Sequence, residues 1–255
     1  RESTDERPEM DTRKIISVTG TDREDFLQNL VTNDVTRVKE GLVWTALLTP
    51  QGKYLADFFL VPADDAILID VAAALAPGLM QRLSMYKLRA DVTLALLDTT
   101  VALGRGPAPE GAFTDPRHPE LGWRAYDGRP GDASLPDALR VAHGVPESGI
   151  ELVPNDSYPL EMNFEALHGV DFRKGCYVGQ EVPARMKHKT SLKKGLARVA
   201  IEGEAPVGTQ IMTEDGKPVG TLFTQADGHA LAYLRFDRAD GALRAGDATV
   251  TRVPL

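Results

Sequence analysis

Cysteine is nearly missing from this chain, with one thiol, Cys176, in 255 residues. That excludes an internal disulfide framework and a self-contained cysteine-rich zinc or iron–sulfur site. Any cluster bound here takes its other ligands from a second molecule. Long apolar runs are missing as well. None approaches the length that crosses a bilayer, and the start of the sequence has no apolar signal-peptide core. The sequence therefore reads as a cytoplasmic protein with no membrane partner. Arg1–Asp11 is polar and expected to be poorly ordered. An excess of positive charge is missing too, and the net charge of −8 argues against a nucleic-acid partner. The five histidines, at 118, 143, 168, 188 and 229, have no metal-ligand spacing. No Ser/His/Asp arrangement, tandem repeat or low-complexity tract is readable. Gly104-Arg105-Gly106 is too short for a phosphate loop.

What is present, 42% hydrophobic and 26% charged residues, is the composition of a globular chain. Ile15–Val18 reads as a strand. Thr21-Asp22-Arg23-Glu24 has capping-box form, with Phe26, Leu27 and Leu30 as the apolar stripe behind it. Thr32-Asn33-Asp34 reads as the turn after that helix. Two β-rich runs, Trp44–Thr49 and Tyr54–Val61, are joined by the tight turn Pro50-Gln51-Gly52. Ile67–Val71 is a further strand, Pro77 opens a helix, and Val92–Leu97 is a strand again. This pattern predicts an α+β unit with an antiparallel sheet. Strands at Val101–Leu103 and Gly122–Tyr126 follow, then a helix from Ser134-Leu135-Pro136-Asp137 to Gly144. From Gly195 onward, short β runs separated by Gly-containing turns predict a small antiparallel barrel. The expected division is an N-terminal α+β domain over 12–97, a middle α+β domain over 98–194 and a barrel over 195–255. The first two are free to interleave.

The stretch from Asp171 to Glu181 concentrates a thiol, two cations, an amide and, at its end, the Glu181 carboxylate. Gly175 and Gly179 bracket Cys176, Arg173 and Lys174 precede it, and Gln180, Glu181 and Arg185 follow. Cations beside a thiol, and a helix start after it, favour the thiolate. Between Arg173 and Lys194 lie seven Lys/Arg residues against one acid, Glu181, and this run suits an anionic ligand or an acidic partner.

Lys174-Gly175-Cys176-Tyr177-Val178-Gly179-Gln180-Glu181 resembles the signature of the YgfZ-type folate-binding proteins, whose mitochondrial relatives are iron–sulfur assembly factors. Four further pieces resemble that family in order: Phe26–Leu30 with Thr32–Val35, Thr49–Lys53, Tyr86–Arg89 and Pro159–Phe164. Pro183 departs from the apolar residue expected there, which puts the start of the following helix in question. The resemblance implies a three-domain ring like the glycine-cleavage aminomethyltransferase, α+β with a C-terminal antiparallel β-barrel. It implies tetrahydrofolate, or a derivative, as cofactor, with Glu161 on the pterin. Asn163, Lys174, Tyr177, Gln180, Glu181 and Arg185 complete the expected binding set. Cys176 is the expected catalytic thiol, or a ligand to a transient iron–sulfur cluster shared with a carrier or client protein. The implied function is an accessory factor for assembly, transfer or repair of such clusters. The alternative is an aminomethyltransferase-like one-carbon transfer enzyme.

Overall fold

A computed structural model describes residues 13–189 and 191–255; Arg1–Asp11, expected to be poorly ordered, lies outside the described residues. The chain folds as two compact units, each assembled from separated segments. Unit 1 takes the described residues through Pro50, then Leu55–Ser134 and His168–Val178; unit 2 takes Gln51–Tyr54, Leu135–Leu167 and Gly179–Leu255.

Unit 1 is built on a five-stranded sheet of order β2-β3-β4-β1-β5. The strands are β1 (Arg13–Thr19), β2 (Val43–Leu48), β3 (Tyr54–Ala63), β4 (Ala66–Ala72) and β5 (Thr93–Leu97). β1 runs antiparallel to β4, with Ile16 opposite Ile69. Alternation turns Ile16, Val18, Ile67, Ile69 and Val71 to one face. There they share a core with Phe26 and Leu27 of helix α1 (Arg23–Gln28) and with Leu79 and Leu83 of helix α2 (Ala76–Lys87). Each such side chain contributes roughly 1.5–3 kcal/mol on burial. Pro77 lies in the first turn of α2, as its fixed φ favours. The capping box expected at α1 does not form. Asp22 makes no side-chain cap bond, and the Thr21 hydroxyl donates to Asp91 Oδ2 at 2.7 Å instead.

Opposite that core, β4 carries Asp70, which is fully buried. Arg13 Nε donates to its Oδ1 at 2.6 Å, and Arg124 Nε and the Tyr126 hydroxyl donate to its Oδ2 at 3.0 and 2.8 Å. Arg124 belongs to a three-stranded sheet of β6 (Ala102–Gly104), β7 (Phe113–Thr114) and β8 (Trp123–Ala125), in the order β6-β8-β7. Its guanidinium lies 4.3 Å over the Phe59 ring.

Unit 2 holds a closed antiparallel barrel. Its strands are β9 (Lys194–Glu202), β10 (Gln210–Met212), β11 (Pro218–Ala226), β12 (His229–Arg235), β13 (Ala242–Ala245) and β14 (Ala248–Val253). Val199, Ile211, Leu222, Ala230, Ala232 and Val250 fill it. The β10–β13 pairing, Ile211 to Ala245, closes the barrel and leaves no free sheet edge. Helix α3 (Asp137–His143) ends at Gly144, whose left-handed φ of 64° makes the cap. Its buried Arg140 donates to Glu151 Oε2 at 3.0 Å and to the β11 hydroxyl of Thr224 at 2.7 Å, tying helix to barrel.

Candidate functional site

The cysteine stretch divides between the units at Val178–Gly179. Its first half is pinned to the turn after α1. The Thr32 hydroxyl donates to Gly169 O at 2.8 Å, Asn33 Nδ2 to His168 O at 2.8 Å, and Asp171 N to Thr32 O at 3.0 Å. Lys174 Nζ donates to three carbonyl oxygens, Gln28 O at 2.7 Å, Val31 O at 2.6 Å and Asn33 O at 2.9 Å. An ammonium has three protons, so none is left over for a ligand or for the thiol. Burial pushes Lys174 down to about 8, against the pull of Asp34 and Asp171. Its Nζ also lies 5.1 Å from the ring centre of Tyr177. Tyr177 is itself buried, which raises its phenol to about 12, and Val178 packs on the unit 1 core. Between these anchors Cys176 is exposed, and Arg173 is exposed beside it. The pocket next to this segment, lined by Asn33, Trp44, Pro116 and His168 among others, has a volume of about 170 Å³. Sites for drug-sized ligands run to about 300 Å³ and more, so this one suits a fragment only.

The second half opens helix α4 (Glu181–His188). Pro183 falls in its first turn, where the missing N–H has no helical partner to lose, so the helix starts at Glu181 after all. Gly179 takes a φ of +79° and Gly52 a φ of +82°. A Cβ on Gly52 would come within 2.5 Å of Val182 Cβ and 3.2 Å of Gly179 O, so the turn Pro50-Gln51-Gly52 reaches α4 only without a side chain. Gln180 immediately precedes α4; Glu181 and Arg185 are exposed on it. Among the described residues, Glu181 and Arg185 form no ion pair, although one turn of helix separates them. Lys187 pairs with Glu165.

Glu161 sits on a 3-10 turn, Pro159–Met162, closed by Asn163 at a left-handed φ of 65°. Asn163 Nδ2 donates to Gly144 O at 2.9 Å, which fixes the turn against the end of α3. The Tyr233 hydroxyl of β12 donates to Glu161 Oε1 at 2.9 Å. Oε2 accepts no hydrogen bond from a described residue. Burial raises the Glu161 carboxyl above the usual glutamate value, opposed by the Tyr233 bond and by Lys194 and Lys189. Burial, then the Glu161 charge, raises the Tyr233 phenol.

Sequence reasoning missed two parts of this arrangement. Tyr233 lies in an ordinary barrel strand, 72 residues from Glu161, and nothing local marks it. Lys174 is expected to act by its charge on Cys176 and to join the cofactor-binding set, whereas its partners are backbone carbonyls, which no residue pattern displays. The matching of Phe26–Asp34 with the Lys174 segment was the available signal, since both carry the resemblance.

A family model for the CAF17 C-terminal β-barrel domain matches residues 193–254. The iron–sulfur cluster assembly factor IBA57 homolog, mitochondrial, of Mycosarcoma maydis is 34% identical over 216 residues, 71% of this chain and 54% of that protein. The chain thus spans about half the length of that relative. The corresponding factor of Mus musculus is 28% identical, over 92% of this chain and 78% of its own. Among solved structures, the glycine cleavage system aminomethyltransferase T from Bartonella henselae superposes with a TM-score of 0.73 at 15% identity, over 96% of this chain and 84% of that one. The fold is therefore aminomethyltransferase-like, α+β with a closed six-stranded antiparallel C-terminal barrel. In sequence the chain is related to the IBA57-type iron–sulfur cluster assembly factors; these matches do not single out the YgfZ-type proteins. The expectation of a cytoplasmic protein is corrected, because the named relatives are mitochondrial. It had rested on missing apolar segments, and these do not distinguish the interior of an organelle from the cytosol.

Proposed function

From its kinship with iron–sulfur cluster assembly factors, we propose that this protein is a tetrahydrofolate-binding accessory factor acting on clusters meant for other proteins, with Cys176 as the group that meets the cluster. The observation that carries the folate half is the Glu161 carboxylate: half-buried, held at Oε1 by Tyr233, open at Oε2. Such a group accepts from a paired donor edge, and a pterin offers one in its ring N–H and exocyclic amine. A donor arriving at Oε2 offsets the desolvation that raises Glu161. Bound tetrahydrofolate would supply a reduced pterin able to carry a one-carbon unit. Asn163 holds the Glu161 turn, Gln180 and Glu181 offer polar contacts at the start of α4, and Arg185 offers one in its last turn. Lys174 and Tyr177 serve by anchoring the loop that presents Cys176.

The cluster is cargo in this reading. An exposed thiol fills one position on an iron, and a carrier or client protein supplies the rest. A second reading is one-carbon transfer from an amine to tetrahydrofolate; the likeness to an aminomethyltransferase, at 15% identity, speaks for the fold alone and does not favour it.

Two variants test the proposal. Glu161→Gln should weaken tetrahydrofolate binding roughly tenfold to a hundredfold, the loss of a charge-assisted bond. Cys176→Ser should bind tetrahydrofolate like the wild type and fail to pass a cluster to an apo-protein. A wild type that binds no tetrahydrofolate, or a Glu161→Gln variant of unchanged affinity, ends the folate reading. Undiminished cluster transfer by Cys176→Ser ends the thiol role. Turnover of an aminomethyl donor would select the second reading.

A further inference from the structure

We propose that Tyr233, on barrel strand β12, is the positioning residue of the Glu161 site: its hydroxyl occupies Oε1 and so leaves Oε2 as the oxygen that receives a ligand's donor. The inference deepens the folate reading and takes the ligand's identity from it.

Both partners stand on rigid supports within unit 2. Tyr233 lies between Ala232 and Leu234, each fully buried in the barrel. It pairs with Leu196 on β9 and Thr221 on β11. Its hydroxyl is thus placed by two strand ladders rather than by a loop. Glu161 is held by Pro159 at the start of its turn and by Asn163 at the end. The turn lies close against β9, since a Cβ on Gly195 would come 3.0 Å from Glu161 O. Neither partner needs to reorganise for the 2.9 Å bond to persist.

The surroundings leave Tyr233 as the directional contact. The charged and titratable groups that act on the pair are Lys194 at the start of β9, Lys189 just after α4, and Asp156 and Tyr158 ahead of the turn. The two ammonium groups favour an ionised Glu161 and Asp156 opposes it, and no hydrogen bond from any of the four to Glu161 accompanies these charges among the described residues. A phenol has one proton, and here it points at Oε1. A ligand that brings a donor to Oε2 completes the carboxylate, whereas one that brings an acceptor meets repulsion. Tyr233 therefore sets the aim of Glu161 and, by donating to Oε1, favours the ionised form that takes a donor edge at Oε2.

The test uses the full chain with glutamate 13C-labelled at its side-chain carboxyl, the Glu161 signal being assigned by its loss in Glu161→Gln. Carboxyl titrations, tetrahydrofolate calorimetry across pH and thermal melts are compared for wild type and Tyr233→Phe. Without the phenol donor the ionised form loses its support, so the Glu161 midpoint should rise. Tetrahydrofolate affinity at neutral pH should fall about tenfold, and its pH of half-loss should rise with the midpoint. A purely structural Tyr233 would move the melt and leave the midpoint in place. Should the Phe variant fail to fold, Glu161→Asp draws the carboxylate back from Tyr233 at constant charge and should show the same loss of affinity. An unmoved midpoint overturns the proposal, and so does unchanged affinity alongside a moved midpoint. If the wild type binds no tetrahydrofolate, the folate reading falls; a raised midpoint in Tyr233→Phe would still sustain Tyr233 as the residue that sets Glu161.

Discussion

Asp70 and Glu161 are two carboxylates with opposite fates. Burial is the largest influence on each, and in each it favours the neutral acid. Asp70 is shut away completely and meets Arg124, Arg13 and Tyr126; their charges and hydrogen bonds overcome burial and lower it from 3.8 to about 2. Glu161 is only partly covered, meets one phenol and two more distant lysines, and stays raised. A carboxylate matched on every side is part of the frame. One left short of donors in a partly open place has capacity for a ligand. The difference separates a structural charge in unit 1 from a candidate binding group in unit 2.

The comparison breaks most visibly at Asp70. Asp70→Asn leaves the buried Arg124 and the partly buried Arg13 without their shared anion, and loss of one member of a buried pair costs about 3–5 kcal/mol. Urea unfolding should register that loss. The pH dependence follows from the lowered value. The stabilisation is present above the ordinary carboxyl range and is lost as pH falls from 3.8 toward about 2. Wild-type stability should therefore drop steeply across that window and the Asn variant much less. Equal acid sensitivity would mean that Asp70 is not the group that holds the frame.

Next in size is Lys174. Lys174→Met keeps the stem but abandons three carbonyls at the end of α1 and its following turn. With the loop partly able to rehydrate, a cost of about 2–3 kcal/mol is expected, against several times that if all three oxygens stayed dry. Unfolding curves give the cost. Limited proteolysis should cut first between His168 and Val178, the stretch that Lys174 pins. A variant as stable and as protease-resistant as the wild type would show that the Thr32 and Asn33 bonds hold the segment alone.

Elements were legible where local chemistry decides them. Gly144 capped α3, Pro77 opened α2, and the glycine turns after Gly195 spaced the barrel strands. The capping box failed because Asp91, 70 residues away, offered Thr21 a better acceptor. The polar frame was illegible for the same reason. Arg13, Asp70 and Arg124 each sit in a strand that reads as ordinary alternation, and only the fold brings them together. At the candidate site, Glu161 came from a resemblance and not from its local pattern. Its partner Tyr233 carries no motif, and Lys174 answers to backbone atoms that a sequence does not distinguish.

The smallest expected effect sharpens the comparison most. Glu161→Gln should change stability by less than about 1 kcal/mol, since the group is partly exposed and solvent screens what it loses. The sign should also reverse relative to Asp70. A carboxyl raised in the folded chain is less penalised when protonated, so its contribution is most favourable at low pH and is lost as pH rises through the raised value. The Gln variant has no such dependence. Wild type minus variant should therefore decline on raising pH through the upper carboxyl range, whereas wild type minus Asp70→Asn should climb on raising pH from about 2 through 3.8. Saturating tetrahydrofolate should erase the Glu161 decline, because a donor at Oε2 compensates the desolvated charge. Parallel slopes for the two variants, with or without ligand, would mean that Glu161 is already as well matched as Asp70 and has no unmet demand for a ligand.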